Sequence, residues 1–402
     1  MTGKLAFQVE TTCKITRARC GLLTLNPTSN AGRRTVVRTP VFMPVGTNGT
    51  LKGLLPEQIE GCGCNMMLSN TYHLASRPGS DIVQQAGGLH NFMRWRNGLL
   101  TDSGGFQMVS LSKLMELDEE KVAFKSPYNP DELTTLTPED ATRVQHQIGA
   151  NIIMQLDDVI SSTHQDEARF EEATHRTIRW YDRCRKAHES SEERQNLFPI
   201  VQGGLNSELR SFCAKELIKR DPPGIAIGGL SGGECKKQFV EMVSISTLNL
   251  PADKPRYLMG VGYAVDMILC VALGVDMFDC VYPTRTARFG YALVGLGSKL
   301  HLSDSEFSED FQAIDVECDC ETCKGGYNRA FIHHLVKRRN AVACSLVTQH
   351  NVRFQMRFMQ KIRESIKSNK FHQLILETLN HHYTNRDNYP DWALKALEIL
   401  KI

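Results

Sequence analysis

The sequence predicts an α/β protein built as a (β/α)8 TIM-type barrel, and three observations carry that prediction. Eight short apolar runs recur along the 402 residues, each ending abruptly in glycine or polar residues. Amphipathic helical stretches fill several of the intervals. Aspartates close three of the runs, at the strand ends where a barrel presents its chemistry.

Residues 1–38 precede the first run and read as antiparallel decoration. Thr39–Val45 is the first run, ending at Gly46, and Asn65–Leu68 is the second, ending at Ser69 and Asn70. Gly98–Thr101 meets Asp102, and residues 103–135 follow as a long insertion. Thr137-Pro138-Glu139-Asp140 then offers an N-cap, a proline at the first helical position and an acidic first turn. Asn151–Leu156 ends at Asp157 and Asp158, and Phe170, Ala173, Thr177, Trp180, Tyr181 and Cys184 share one face of the next helix. Phe198–Val201 meets Gln202-Gly203-Gly204, followed by a face of Leu205, Leu209, Cys213 and Leu217. Gly224–Ile227 ends at Gly228 and Gly229, Arg256–Met259 at Gly260, and Val275–Phe278 at Asp279. Such runs suit strands buried on both faces, as in parallel sheets. Residues 285–325 form a second insertion, and the chain beyond Tyr327 reads as helical. The alternative is an open doubly wound sheet, which seldom carries eight units with functional residues at its strand ends. The organisation expected is a single barrel domain over 1–402, with a zinc-binding subdomain inserted at 285–360.

Composition sets the class. Hydrophobic residues make up 41% and charged residues 23%, enough apolar surface for a sizeable core. A formal charge of +2 does not indicate a nucleic-acid partner, so any basic footprint is local. No apolar signal core opens the chain, and no uncharged run approaches the ~18 residues of a membrane span. The 13 cysteines are odd in number and mostly scattered, which fits a reducing cytosol.

Asp102, Asp157 with Asp158, and Asp279 all stand at strand ends, although aspartate is a poor strand residue. A single such aspartate is more often a helix cap than a catalyst. Three on one rim, with Gln202 on a fourth strand, point to a site. Glycine pairs at 104–105, 203–204 and 228–229 allow close backbone approach, and Phe106 offers a ring for stacking. Together they suit a flat heterocycle. Neither a Walker A sequence nor a dinucleotide fingerprint follows a strand.

Cys318, Cys320 and Cys323 lie within six residues, and His350 follows 27 residues after the last. Three thiolates and one imidazole make a closed, tetrahedral, structural zinc site. His333 and His334 are alternative ligands, in a more cramped loop. A basic run follows: Arg353, Arg357, Lys361, Arg363, Lys367 and Lys370. It reads equally as a solvated helix face or a phosphate-binding one.

Five motifs, from Thr101-Asp102-Ser103-Gly104-Gly105-Phe106-Gln107 through Val201–Gly204, Gly228-Gly229-Leu230 and Tyr257–Gly262 to Asp276–Arg285, together with Asn70–Leu74, resemble tRNA-guanine transglycosylases over roughly residues 10–360. The resemblance implies exchange of a guanine at the first (wobble) anticodon position of tRNA. It implies Asp279 as the nucleophile at ribose C1′ and Asp102 as general acid and base. Substrate contacts fall on Ser103, Gly104, Gly105, Phe106, Asp157, Gln202, Gly229, Leu230 and Met259. RNA contacts fall on Gly260, Val261, Gly262, Tyr263, Ala264, Val265 and Asp266, and on Thr284, Arg285, Thr286, Ala287 and Arg288. The cysteine cluster becomes the family's structural zinc, with a gap to His350 one residue longer than usual, which the glycines of Lys324–Tyr327 absorb.

Val159 and Gly232 stand where bacterial members carry cysteine and a larger residue. Both departures resemble the eukaryotic branch, whose incoming base is queuine. The smaller 7-aminomethyl-7-deazaguanine precursor is the alternative base, and a non-catalytic RNA-binding subunit the alternative role. A barrel glycosidase acting on free sugars would need neither the zinc module nor Arg285 and Arg288. The resemblance further implies a heterodimer with a non-catalytic paralogous subunit, or a homodimer. It also implies a cytoplasmic enzyme that can associate peripherally with the mitochondrial outer membrane.

Overall fold

A computed structural model describes residues 5–29, 32–105, 115–126, 129–191 and 194–402. Its centre is two parallel sheets flanked by helices. One holds, in spatial order, Asn196–Phe198, Ile152–Met154, Gly98–Thr101 and Met66–Ser69. The other holds Ile200–Val201, Ile225–Ile227, Arg256–Leu258, Met277–Cys280 and Val41–Pro44. Each apolar run of the sequence supplies one strand, except that Pro199 splits the fifth. Proline has no N–H for the ladder, but its carbonyl still accepts from Ala226 N at 2.8 Å. At the other margin a parallel bridge pairs Val45 with Leu68, and Gly46 N donates to Leu68 O at 2.7 Å. The two sheets therefore meet at both ends.

The strands are buried on both faces, as their continuous apolar character requires. Val41, Met43, Met66, Leu68, Leu100, Ile152, Met154, Ile200, Ala226, Tyr257 and Met277 pack into one core. The alternate residues Phe42, Met67, Leu99, Ile153, Val201, Ile227, Leu258 and Phe278 pack outward against the helices.

One helix starts at the cap the sequence places, and another starts later than its apolar face suggests. Thr137 Oγ1 accepts from Asp140 N at 3.1 Å to open Pro138–Ile148. Asn206 caps Ser207–Ile218, so Leu205 precedes that helix. In Glu167–His188 the face of Ala173, Thr177, Trp180, Tyr181 and Cys184 is buried.

Both decorations are antiparallel: Ala6–Thr12, Arg19–Leu25 and Thr35–Thr39 before the sheets, and Met115–Leu117, Val122–Ser126 and Asn129–Leu136 within the first insertion. Arg19 anchors the first of these with a fork to the fully buried Asp276, at 2.9 and 2.6 Å. The second insertion carries the hairpin Tyr291–Val294/Ser298–His301, and helices dominate after Arg329. A small separate core includes Ala287, Leu302, Phe307, Ile314, Ile332, Leu346, Val347 and the three clustered cysteines. The helix Ala341–Lys367 leaves this core and runs on into the main one through Val352, Phe358, Met359 and Ile362. No helix among the described residues is long and apolar enough to cross a membrane.

Candidate active site

Asp279 is the third residue of Met277–Cys280 and is half-buried. Its Oδ1 accepts from the Tyr257 hydroxyl at 2.6 Å and from Gly260 N at 2.9 Å. Oδ2 has no hydrogen-bond partner among the described residues. Burial pushes the carboxyl above its usual range, and the two hydrogen bonds pull it back. Tyr257 is fully buried one strand away, and its phenol is held well above the ordinary value by burial and then by Asp279. The charge of Asp102 acts on the same phenol.

Asp102 follows Gly98–Thr101 and is 6% exposed. Oδ2 accepts from Asn70 Nδ2 at 2.5 Å and Oδ1 from Thr71 N at 2.8 Å, the first amide of the short helix Thr71–Ser76. The Thr71 hydroxyl donates to the Asp102 carbonyl at 2.5 Å. Register places Asp102 and Asp279 at the same ends of their strands, since Ser69 pairs with Thr101, Leu68 with Val45, and Met43 with Asp279.

Asp157 and Gln202 are 5% and 4% exposed and face each other across neighbouring strands. Gln202 Nε2 donates to Asp157 Oδ2 at 2.7 Å, and Ser103 Oγ donates to Oδ1 at 3.3 Å. Burial raises the Asp157 carboxyl to about 6. Gly229, at φ +66°, closes against Gln202: a Cβ there would stand 2.2 Å from Gln202 Oε1. Gly105 is similarly tight, with Asp157 Oδ1 3.3 Å from where its Cβ would be. Leu230 and Met259 are partly buried beside this pocket, and Gly104 adopts φ +83°. Phe106 lies outside the described residues.

Asp158 differs from its neighbour. It is 1% exposed and takes forked or single bonds from Arg169 (2.6 and 2.8 Å) and Arg176 (2.7 Å), so its role is to hold the helix Glu167–His188.

In the 260–266 segment Gly260 and Tyr263 are exposed, whereas Val261, Ala264 and Val265 are buried in the main core. Gly262 approaches Cys280 so closely that a Cβ would stand 2.6 Å from Cys280 Cβ. Asp266 pairs with Lys236 at 2.6 Å. The Tyr263 ring lies 4.2 Å from that of Tyr282, the first residue of the helix Tyr282–Arg288. On that helix Arg285 and Arg288 are exposed one turn apart, with no carboxylate partner among the described residues; Thr284 and Ala287 face inward and Thr286 is half-buried.

Cys318, Cys320, Cys323 and His350 present ligand atoms that all lie within 4.8 Å of one another, and all four are buried. His350 Nδ1 faces Cys323 Sγ at 3.4 Å and Cys320 Sγ at 3.8 Å, while Nε2 meets the Leu293 carbonyl at 2.7 Å. That outer hydrogen bond fixes the tautomer with Nδ1 free to ligate, the arrangement of a metal-binding histidine. The four residues fit a tetrahedral ion. His333 turns to Leu302 O instead. The basic run is largely used internally: Arg353 forks onto Asp319, Arg357 pairs with Asp315, Lys367 with Glu10, and Arg363 donates to Pro40 O. These four are engaged within the chain, while Lys361, Lys367 and Lys370 lie exposed as on a solvated face.

A family model described as queuine tRNA-ribosyltransferase matches residues 13–384. The chain belongs to the queuine tRNA-ribosyltransferase family. It is 47% identical to the queuine tRNA-ribosyltransferase catalytic subunit of Schizosaccharomyces pombe, over 99% of this chain and 97% of that one. It is 51% identical to the protein of the same name from Caenorhabditis elegans, over 87% and 86%. It is 46% identical to the queuine tRNA-ribosyltransferase of Caldanaerobacter subterraneus, over 88% and 92%. Sequence reasoning gave no role to Tyr257, Asn70 or Thr71, which brace the two aspartates in this member of the family. All three lie inside the motifs that carry the resemblance. A tyrosine in a fully buried strand next to the Asp279 strand was the available signal, since a buried phenol needs an acceptor.

Proposed function

We propose that this chain is a pentosyltransferase that replaces guanine at the wobble position of tRNA by queuine, through a covalent aspartyl-ribose intermediate and double displacement. The observation that carries the reading is that the strand register sets Asp279, held by Tyr257 and Gly260, and Asp102, held by Asn70 and Thr71, at the same ends of their strands, together with the pocket of Asp157, Gln202 and Gly229.

The chemistry follows from those groups. Oδ2 of Asp279 attacks C1′ while Oδ1 stays bound to Tyr257 and Gly260. The C1′–N9 bond breaks as the ester forms, and Asp102 delivers a proton to the departing base. The incoming base enters the pocket, gives its proton to Asp102 and attacks C1′. The ester opens and Asp279 leaves as the carboxylate. Two inversions retain configuration, as in retaining glycosidases. One group acts as acid and then as base. A base in a tRNA loop is cheaper to unstack than one in a duplex.

We read the strand segments as eight strands of one closed barrel, supported by the Val45–Leu68 bridge and by a fifth strand interrupted only at Pro199. The chain is then one domain, with residues 285–360 as a zinc-bearing subdomain built on the small core around the cysteines. Cys318, Cys320, Cys323 and His350 would hold the zinc, which supplies structural cross-linking and no step of the reaction. Arg285, Arg288, Gly260 and Tyr263 are the surface through which the two RNA-contacting segments meet the anticodon loop. The buried members of those segments shape the backbone beneath it. Gly232, exposed and without a side chain, would leave room for the bulky substituent of queuine. We place the enzyme in the cytoplasm as the catalytic half of a heterodimer, a reading supported by thirteen free cysteines and by relatives named catalytic subunits.

The test is exchange of labelled guanine out of tRNA, with the paralogous subunit present, followed by the mass of the base incorporated. Queuine incorporation supports the reading; incorporation of the aminomethyl precursor alone, or no exchange, rejects it.

A further inference from the structure

Among the largest fully buried side chains, Arg210 is the one that carries a charge. It sits on Ser207–Ile218, and no carboxylate pairs with it among the described residues. Its Nε donates to Gly204 O at 2.6 Å. One terminal nitrogen reaches Gly228 O at 3.0 Å and Gly229 O at 3.4 Å, and the other finds no acceptor among the described residues. Burial lowers the guanidinium to about 10. A buried guanidinium with no carboxylate at ion-pair distance is costly. Packing alone does not explain this arginine.

Peptide geometry supplies a reason. In a trans peptide the carbonyl and the following N–H point in opposite directions. Carbonyls 228 and 229 turn toward Arg210, so the N–H groups of Gly229 and Leu230 turn away from it. Neither N–H has an acceptor among the described residues. Gly229 lies against Gln202, which holds Asp157. The donors therefore stand at the pocket with nothing of this chain to bind.

We propose that Arg210 is a positioning residue for the exchanged base: it clamps the two glycine turns from behind so that the N–H groups of Gly229 and Leu230 meet the ring carbonyl oxygen of a purine. Its unpaired charge strengthens those donors as electron density builds on the departing base. The inference rests on the base-exchange reading and adds a residue that touches neither base nor ribose.

Equilibrium dialysis of labelled guanine, displaced by unlabelled guanine or by 6-thioguanine, tests it without requiring turnover. Thioguanine keeps every N–H of guanine and exchanges the carbonyl oxygen for a poorer acceptor. The wild-type chain with its partner should bind guanine at least about tenfold more tightly than thioguanine, an acceptor worth ~1.4 kcal/mol. Arg210→Lys and Arg210→Met should cut that preference to under about threefold, while the KM for tRNA stays within about twofold. Either variant, folded and with the wild-type preference, overturns the proposal. If neither folds, Arg210→Gln, uncharged but with an amide donor left for one of the carbonyls, takes their place with the same two outcomes, and equal binding of the two bases by the wild-type chain overturns the proposal by itself. Failure of the base-exchange reading would show separately, as no labelled guanine leaving tRNA.

Discussion

As the proposed nucleophile Asp279 would attack only as an anion, yet burial lifts its carboxyl above the usual range, and the Tyr257 hydroxyl is one of two donors that oppose the lift. Tyr257→Phe removes that donor and leaves Gly260 N in place. A hydrogen bond to a charged group contributes ~1.5–3 kcal/mol, so exchange should slow roughly 10- to 100-fold. The acid limb of the kcat/KM profile should move to higher pH, because the anion loses support. An unmoved limb would remove Tyr257 from the account. Asp157 obeys the same electrostatics with a different outcome. Its folded carboxyl is raised to about 6 from an ordinary 3.8, so the folded state is penalised for the charge above pH 6 and relieved of it as pH falls toward 4. Asp157→Asn should therefore raise Tm at pH 7 and flatten the stability gain between pH 7 and 5, while base affinity falls at least about tenfold. Calorimetric melts across that range check the first part, and guanine dialysis the second.

At the scale of elements, the helix Tyr282–Arg288 presents Arg285 and Arg288 toward solvent, and Asn351 ties its base to the hairpin beside the cysteine cluster through Pro283 O at 3.1 Å and Tyr291 O at 2.9 Å. Arg285→Ala and Arg288→Ala should each weaken tRNA binding and lower the salt slope of log K by about 1 per lost phosphate contact. An unchanged slope would detach that arginine from the RNA. The cysteine cluster should hold one zinc per chain by elemental analysis. Cys320→Ser should lose it and lower Tm, whereas full zinc content in that variant would exclude Cys320 as a ligand. Strand positions and the strand-end carboxylates were legible because fully buried parallel strands leave continuous apolar runs, and because aspartate at their ends is conspicuous. The partners of those carboxylates were not legible. Asn70 and Thr71 reach Asp102 from a neighbouring strand, and contacts across strands leave no trace in local spacing. The partners of the basic run on Ala341–Lys367 were illegible for the same reason, since Asp319, Asp315 and Glu10 approach it only in three dimensions.

For the whole molecule, the pairing that runs through both sheets brings the ends of Gly98–Thr101 and Met277–Cys280 to one rim, with two strands between them. That arrangement is the one the proposed double displacement needs, with one aspartate to attack ribose and the other to manage the proton. A continuous helix joins the small core around the cysteines, which includes Ala287 of the helix that carries Arg285 and Arg288, to the main core. The most direct test of this account is denaturing electrophoresis and mass spectrometry of the enzyme quenched with tRNA, comparing wild type with a folded, tRNA-binding Asp279→Asn variant. The account predicts an adduct mapped to Asp279 in the wild type and none in the variant, with exchange abolished. Undiminished exchange by Asp279→Asn, or an adduct on another side chain, would contradict it.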